Sequence, residues 1–128
     1  MDVFVVEDSS VMRLRLVAAL EEVPGVLVVG VADGMDQAIA EITSLRARLV
    51  VLDLRLAQGN GLFVLRAVKQ LEPPPVVAVL TNYPYEQYRA RCAQLGADYF
   101  FDKAAGLDDL LEAVRGLASE PRQEGACA

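Results

Sequence analysis

Five residues carry the chemistry open to this chain: Glu7, Asp8, Asp53, Thr81 and Lys103. Three are carboxylates, and gathered at one point they repel. Two unit charges about 4 Å apart cost roughly 4 kcal/mol at an effective dielectric near 20. A protein relieves such a site by raising a pKa or by adding a cation. Lys103 supplies one positive charge against three negative ones. A divalent ion bound through oxygens completes the balance, and Mg2+ (or Mn2+) suits a small site that keeps some of its waters. A carboxylate beside such an ion, with a lysine and a hydroxyl aimed at the same spot, can accept a phosphoryl group. That transfer needs positioning and charge neutralisation more than covalent machinery. Asp53 is then the nucleophile, since carboxylates form acyl phosphates.

Composition removes most competing chemistries. The 128 residues include no histidine, so histidine triads, His-ligated zinc and an autophosphorylating histidine are all excluded. The length suits one domain, and 54% hydrophobic residues against 23% charged ones rule out intrinsic disorder. A net charge of -6 with no clustered Lys/Arg stripe argues against direct nucleic-acid binding. The longest apolar runs, such as residues 76–80, fall far short of the roughly 18–20 residues a spanning helix needs. Asp2, Glu7 and Asp8 are the opposite of a basic leader. No membrane partner is therefore expected. The two cysteines, Cys92 and Cys127, do not make a disulfide framework, which points to a cytoplasmic location.

The elements that must position the five residues follow from periodicity. Apolar, β-branched runs at 3–6, 26–32, 49–52, 76–80 and 99–101 read as strands covered on both faces. Amphipathic stretches at 9–22, 36–45, 62–71, 85–95 and 107–118 read as helices. The first helix turns Met12, Leu16, Val17, Leu20 and Val23 inward and takes its cap from Asp8 or Ser9. The second buries Ala38, Ile39, Ile42 and Leu45, the third Leu62, Leu65 and Val68, and the last Leu107, Leu110, Leu111, Val114 and Leu117. Pro24-Gly25 and Pro73-Pro74-Pro75 interrupt the pattern, and Gly96 is placed to end the fourth helix in a left-handed turn. Strands alternating with helices predict an α/β domain: three layers around a doubly wound, five-stranded parallel sheet. It spans residues 1–118, with residues 119–128 expected to form a frayed polar tail. Glu7 and Asp8 then follow the first strand, Asp53 the third, Thr81 the fourth and Lys103 the fifth. Open parallel sheets bind ligands at their carboxyl edge, where the strand order reverses. With the order 2-1-3-4-5, that point lies between the first and third strands.

The motifs Glu7-Asp8-Ser9-Ser10, Leu52-Asp53-Leu54-Arg55-Leu56, Leu80-Thr81-Asn82 and Gly96-Ala97-Asp98 leading to Lys103 occur in this order. Together they resemble a response-regulator receiver domain of two-component signalling, flavodoxin-like in fold, and the resemblance covers residues 1–118. It implies that Asp53 takes a phosphoryl group from a phosphohistidine on a partner histidine kinase or phosphotransfer protein. It assigns metal ligation to Asp8, Asp53 and the backbone carbonyl of Arg55, with Glu7 acting largely through water. Thr81 and Lys103 would hold phosphoryl oxygens, and Thr81 and Phe100 would form the switch. That switch would reshape the face of the fourth helix, fifth strand and fifth helix toward a downstream protein target, and a homodimer is compatible with it. The resemblance implies a signalling switch, not an enzyme: the domain would catalyse only its own phosphoryl uptake and slow loss. The missing histidine fits, because the donor is another protein. The sequence departs from the family pattern at Ala57 and Ala104, where proline is frequent, and at Asn82, where a smaller residue is usual. Arg55 and Tyr83 occupy positions that tune phosphoryl loss in the family. About ten residues after position 118 carry no output domain, so a stand-alone regulator or a receiver cut from a longer chain is expected.

Other readings stay open at this point. An aspartate-based phosphohydrolase would place a second acid two residues after the nucleophile, where Arg55 stands. A receiver-like module could dock on partners without phosphorylation. Residue by residue, Asp8 reads equally as a helix cap, Asp102 as a solvated neighbour of Lys103, Phe100 as plain core and Cys92 as a small packed residue. Tyr83, Tyr85 and Tyr88 read as a partner surface or as partly buried loop aromatics.

Overall fold

Successive side chains of a strand point to opposite faces, so a run that is apolar throughout must be covered on both sides. The computed structural model, which describes residues 1–120, shows how this chain does so. Its elements are β1 (Asp2–Val6), α1 (Ser10–Glu21), β2 (Leu27–Ala32), α2 (Met35–Leu45), β3 (Leu49–Leu52), α3 (Gly61–Val68), β4 (Val76–Thr81), α4 (Glu86–Gln94), β5 (Tyr99–Asp102) and α5 (Leu107–Ala118). All strand pairs are parallel, in the order β2-β1-β3-β4-β5. Phe4, Val6, Val50, Leu52, Val77 and Val79 face α2, α3 and α4 across Ile42, Val64, Leu65, Val68 and Cys92. Val3, Val5, Leu49, Val51, Ala78 and Leu80 face α1 and α5 across Leu16, Leu20, Leu110 and Val114. Each such aliphatic side chain contributes about 1.5–3 kcal/mol on burial. The two cores hold the sheet rigid and leave its carboxyl edge free of packing duties.

Several local expectations are corrected. β2 is an edge strand, so its outer residues Leu27 and Val31 are exposed although the run is as apolar as the central ones. Leu45, expected inward, is 42% exposed. It ends α2 above this edge, where no further strand lies beneath it. α3 stops at Val68 and not at residue 71, because Gln70 N and Leu71 N donate three residues back, to Ala67 O and Val68 O. Its buried face is Gly61, Val64, Leu65 and Val68, with Leu62 only partly covered. The cap of α1 is Ser9, whose Oγ accepts from Met12 N at 3.2 Å, and Asp8 is left exposed beside it. Gly96 adopts φ +99° after α4, as its type allows. The expected frayed tail begins within the described chain at Ser119, but its residues 121–128 and Cys127 lie outside the described residues.

Candidate functional site

Backbone pairing brings the strand ends together. Glu7 N donates to Ala32 O at 2.9 Å, Asp53 N to Val6 O at 3.0 Å and Lys103 N to Thr81 O at 2.7 Å. Each polar residue therefore begins where one strand's ladder to the next runs out. Glu7 (1% exposed), Asp53 (5%) and Thr81 (0%) are the buried polar residues among those described. Buried charges are tolerated only when paired, and the pairing here is shared. Lys103 Nζ lies 2.7 Å from Glu7 Oε1 and 2.9 Å from Asp53 Oδ2. Glu7 Oε2 accepts from Ser9 N at 3.0 Å, Asp53 Oδ1 accepts from Arg55 N at 3.4 Å, and Thr81 Oγ1 accepts from Tyr83 N at 3.1 Å.

Position sets the electrostatics. Burial raises the Glu7 carboxyl above its ordinary value, and the negative charge of Asp53 adds to this, against the hydrogen bonds from Lys103 and Ser9. Burial works to lower Lys103, yet its hydrogen bonds and charge contacts with Glu7 and Asp53 hold it above the usual lysine range. Asp8 sits exposed at the rim, and one carboxylate oxygen each from Glu7, Asp8 and Asp53 lie within 4.8 Å of one another. This is an oxygen-only donor set, the kind that Mg2+ or Mn2+ takes and zinc with its N/S ligands does not favour. A cluster that could bind a metal is thus assembled from the three acids singled out in the sequence.

Arg55 and Tyr83, both singled out in the sequence, meet beside Asp53. The Arg55 guanidinium lies 4.4 Å from the centre of the Tyr83 ring. Leu54, Arg55, Asn60, Leu62, Tyr83 and Tyr88 line a cavity of about 240 Å³ there. A larger cavity, about 570 Å³, opens between Ile42, Arg48 and Pro73 at the opposite end of the sheet, remote from the acids. Tyr83, Tyr85 and Tyr88 form a run of tilted ring contacts at 6.3 and 5.9 Å. Phe100 lies partly buried against the α2–α4 core, and Arg89 of α4 sits 4.6 Å from its ring centre. Gly61 opens α3 so close to the preceding loop that a Cβ there would strike the Asp53 carbonyl oxygen.

Three further residues support the site, and the sequence signalled this for only one of them, Ser9, as the cap of α1. Arg13, one turn into α1, donates from Nη1 to Glu7 O at 2.8 Å and so ties the β1–α1 loop down. Ser9 serves twice, capping α1 with Oγ and holding Glu7 with its N–H. Asp102 is not merely solvated: its Oδ1 accepts from Ala104 N at 2.9 Å. Only the Ser9 cap had a sequence signal, its type and its place ahead of an apolar period.

Fold, site and sequence converge on one class of protein, an α/β receiver domain with an acidic cluster at the carboxyl edge of its sheet. The sequence matches the family model described as the response regulator receiver domain over residues 3–115, and the chain belongs to that family. It is 28% identical over 113 residues to the response regulator GacA of Pseudomonas aeruginosa, covering 88% of this chain and 53% of GacA. It is 32% identical over 97 residues to the protein-glutamate methylesterase/protein-glutamine glutaminase 4 of Geobacter metallireducens, covering 74% of this chain and 28% of that one. The chain thus spans about half the length of the GacA regulators it matches. Among solved structures, the signal receiver domain of NarL from Mycobacterium tuberculosis gives a TM-score of 0.83 at 28% identity, over 94% of this chain and 97% of that one. A response regulator from Burkholderia pseudomallei, solved with a phosphorylated aspartic acid, a calcium ion and citrate, gives 0.79 at 27% identity, over 98% and 73%. No helix among the described residues is long and apolar enough to cross a membrane.

Proposed function

We propose that Asp53 accepts a phosphoryl group from the phosphohistidine of a partner histidine kinase or phosphotransfer protein. The observation that carries this reading is the shared ammonium: Lys103 Nζ bridges Glu7 and Asp53 at the end of the sheet, beside Thr81. An Asp53 carboxylate oxygen forms the bond to phosphorus as the P–N bond to the donor imidazole breaks, its electron pair staying on nitrogen. Lys103, already at Asp53, donates to a phosphoryl oxygen. Thr81 Oγ accepts from Tyr83 N, which leaves its own hydroxyl hydrogen to donate to a second oxygen. Asp8, Asp53 and the Arg55 carbonyl would hold Mg2+ (or Mn2+). Glu7 would act through water, since both its oxygens are already engaged by Lys103 and Ser9. The ion, when bound, neutralises the charge of the phosphoryl oxygens.

The domain works as a switch and catalyses only its own phosphoryl uptake and slow loss. Thr81, drawn toward the phosphoryl group, makes room for Phe100 to turn inward, and the face of α4, β5 and α5 is reshaped for a downstream protein target or a second copy. With a free thiol at Cys92 and no basic stripe, the reading places it in the cytoplasm without direct nucleic-acid or membrane contact. The Burkholderia structure supports the phosphoacceptor assignment by carrying a phosphorylated aspartic acid. Mass spectrometry after incubation with acetyl phosphate and Mg2+ tests it. One phosphoryl group is expected on wild type and none on Asp53→Ala. An unmodified wild type, or a modified Asp53→Ala, rejects the proposal.

A further inference from the structure

Lys103 reaches two acids on a flexible four-carbon stem. Whatever fixes its backbone therefore decides whether the ammonium arrives. The turn after β5 holds no proline, only Lys103, Ala104, Ala105 and Gly106. Asp102 closes it instead. Its Oδ1 accepts from Ala104 N at 2.9 Å, and its carbonyl oxygen accepts from Ala105 N at 3.3 Å and Gly106 N at 2.6 Å. Lys103 lies inside the ring that the side-chain bond closes, the arrangement by which a short polar side chain stands in for a backbone turn. On its other side Lys103 N donates to Thr81 O, and Asp102 pairs with Thr81 in the sheet. The peptide groups flanking Lys103 are thus both tied. The turn has no slack either, because Gly106 is buried and a Cβ on it would come within 2.6 Å of the Asp102 carbonyl oxygen and 3.0 Å of Phe101 Cβ.

We propose that Asp102 is the positioning residue for Lys103: its carboxylate holds the 102–106 turn that aims the ammonium between Glu7 and Asp53. The part played by this geometry in phosphoryl binding rests on the function proposed above. The turn and the ammonium contact exist without it. Asp102 touches no reacting atom and acts only through its neighbour.

Two measurements on Asp102→Ala, Asp102→Asn, Asp102→Glu, Lys103→Ala and the Asp102→Ala/Lys103→Ala double variant test this. The first is NMR of the Lys103 ammonium in metal-free protein. A hydrogen-bonded Nζ signal is expected in wild type and in Asp102→Asn, which keeps the acceptor oxygen. It is expected to be lost in Asp102→Ala and in Asp102→Glu, which keeps the charge but not the reach. The second is the affinity for beryllofluoride with Mg2+. Asp102→Ala should weaken it roughly three- to tenfold, Asp102→Asn by less than about twofold, and the loss should vanish in the Lys103→Ala background. If Asp102→Ala does not fold, the contrast between Asn and Glu carries both measurements. An unchanged ammonium signal in Asp102→Glu and Asp102→Ala, or an additive double variant, overturns the inference. A wild type that keeps the ammonium signal but does not bind beryllofluoride overturns the proposed function and leaves the positioning role standing.

Discussion

Replacing Lys103 with methionine removes a charge while keeping most of the stem, and the geometry of the site sets the cost. At an effective dielectric near 20, the attractions at 2.7 and 2.9 Å are each worth about 6 kcal/mol before desolvation of the ammonium is subtracted. Glu7 and Asp53 would then face each other with oxygens within 4.8 Å, a repulsion of at least about 3.5 kcal/mol on the same scale. Breaking a buried pair typically costs about 3–5 kcal/mol, and the Lys103 side chain is only 11% exposed, so screening is modest. A loss of about 3 kcal/mol is expected at pH 8 without divalent ions, lowering Tm by about 10 °C. The loss must depend on pH. Glu7 is already raised above 4.5 by burial, and removing its Lys103 bond raises it further. A raised acid contributes stability that is fully present below 4.5 and lost as pH climbs through the folded value. The methionine variant should therefore approach wild type toward pH 4.5 and fall away from it at neutral pH. Wild type, with Lys103 raised, should lose the ammonium's contribution only above pH 10.5. Urea unfolding across this range decides the matter. A deficit below about 1 kcal/mol at pH 8, or one that does not change with pH, refutes the electrostatic account of the site.

Four smaller perturbations probe the scaffold. In Gly61→Ala a helix-propensity gain of about 1 kcal/mol competes with overpacking against the Asp53 carbonyl oxygen and, at 2.7 Å, Leu54 Cα. Backbone cannot rotate away, so a net loss of about 1–2 kcal/mol is expected, and a stabilised protein in urea unfolding would show the clash to be relieved. Asp98 Oδ2 accepts from Lys69 Nζ and Val77 N, both at 2.9 Å. Its side chain is 40% exposed, so Asp98→Ala should cost no more than about 1–2 kcal/mol, with Asp98→Asn recovering part of it. A double-mutant cycle between Arg89→Ala and Phe100→Leu should give a coupling of about 0.5–1 kcal/mol. Zero coupling would mean that the guanidinium does not hold the ring. Burial pushes the Cys92 thiol up to about 11, leaving roughly one thiolate in a thousand at pH 8. In a Cys127→Ser background it should react with thiol reagents only as fast as the protein unfolds, and labelling at the rate of a free thiol would contradict its placement.

Much of the fold was legible because two periods alternate without interference. The apolar runs ahead of Glu7, Asp53 and Thr81 have no polar face, which only a doubly covered parallel strand tolerates. What the pattern hid was neighbourhood. Residues 27–32 look as buried as residues 49–52, yet β2 has a partner on one side only, and Leu27, Val31 and Leu45 are exposed for that reason. Asp102 was unreadable for a related reason. Its role depends on three backbone N–H groups turning back toward it, and local composition carries no sign of that. Arg13 reaches a carbonyl that only the β1–α1 turn brings within range.

By itself the sequence determined the inventory: five strands, five helices, three acids, a hydroxyl and a lysine, each assigned to the end of a strand, in a chain with no histidine. Tertiary structure alone decided their company. Lys103 meets Asp53 across fifty positions of chain, and Glu7 across more, because the hydrogen-bond register between parallel strands sets which ends lie side by side. Spacing along the backbone does not set it. The β1–α1 loop buries Glu7 while leaving Asp8, its immediate neighbour, at the exposed rim, with one carboxylate oxygen of each still within 4.8 Å of the other.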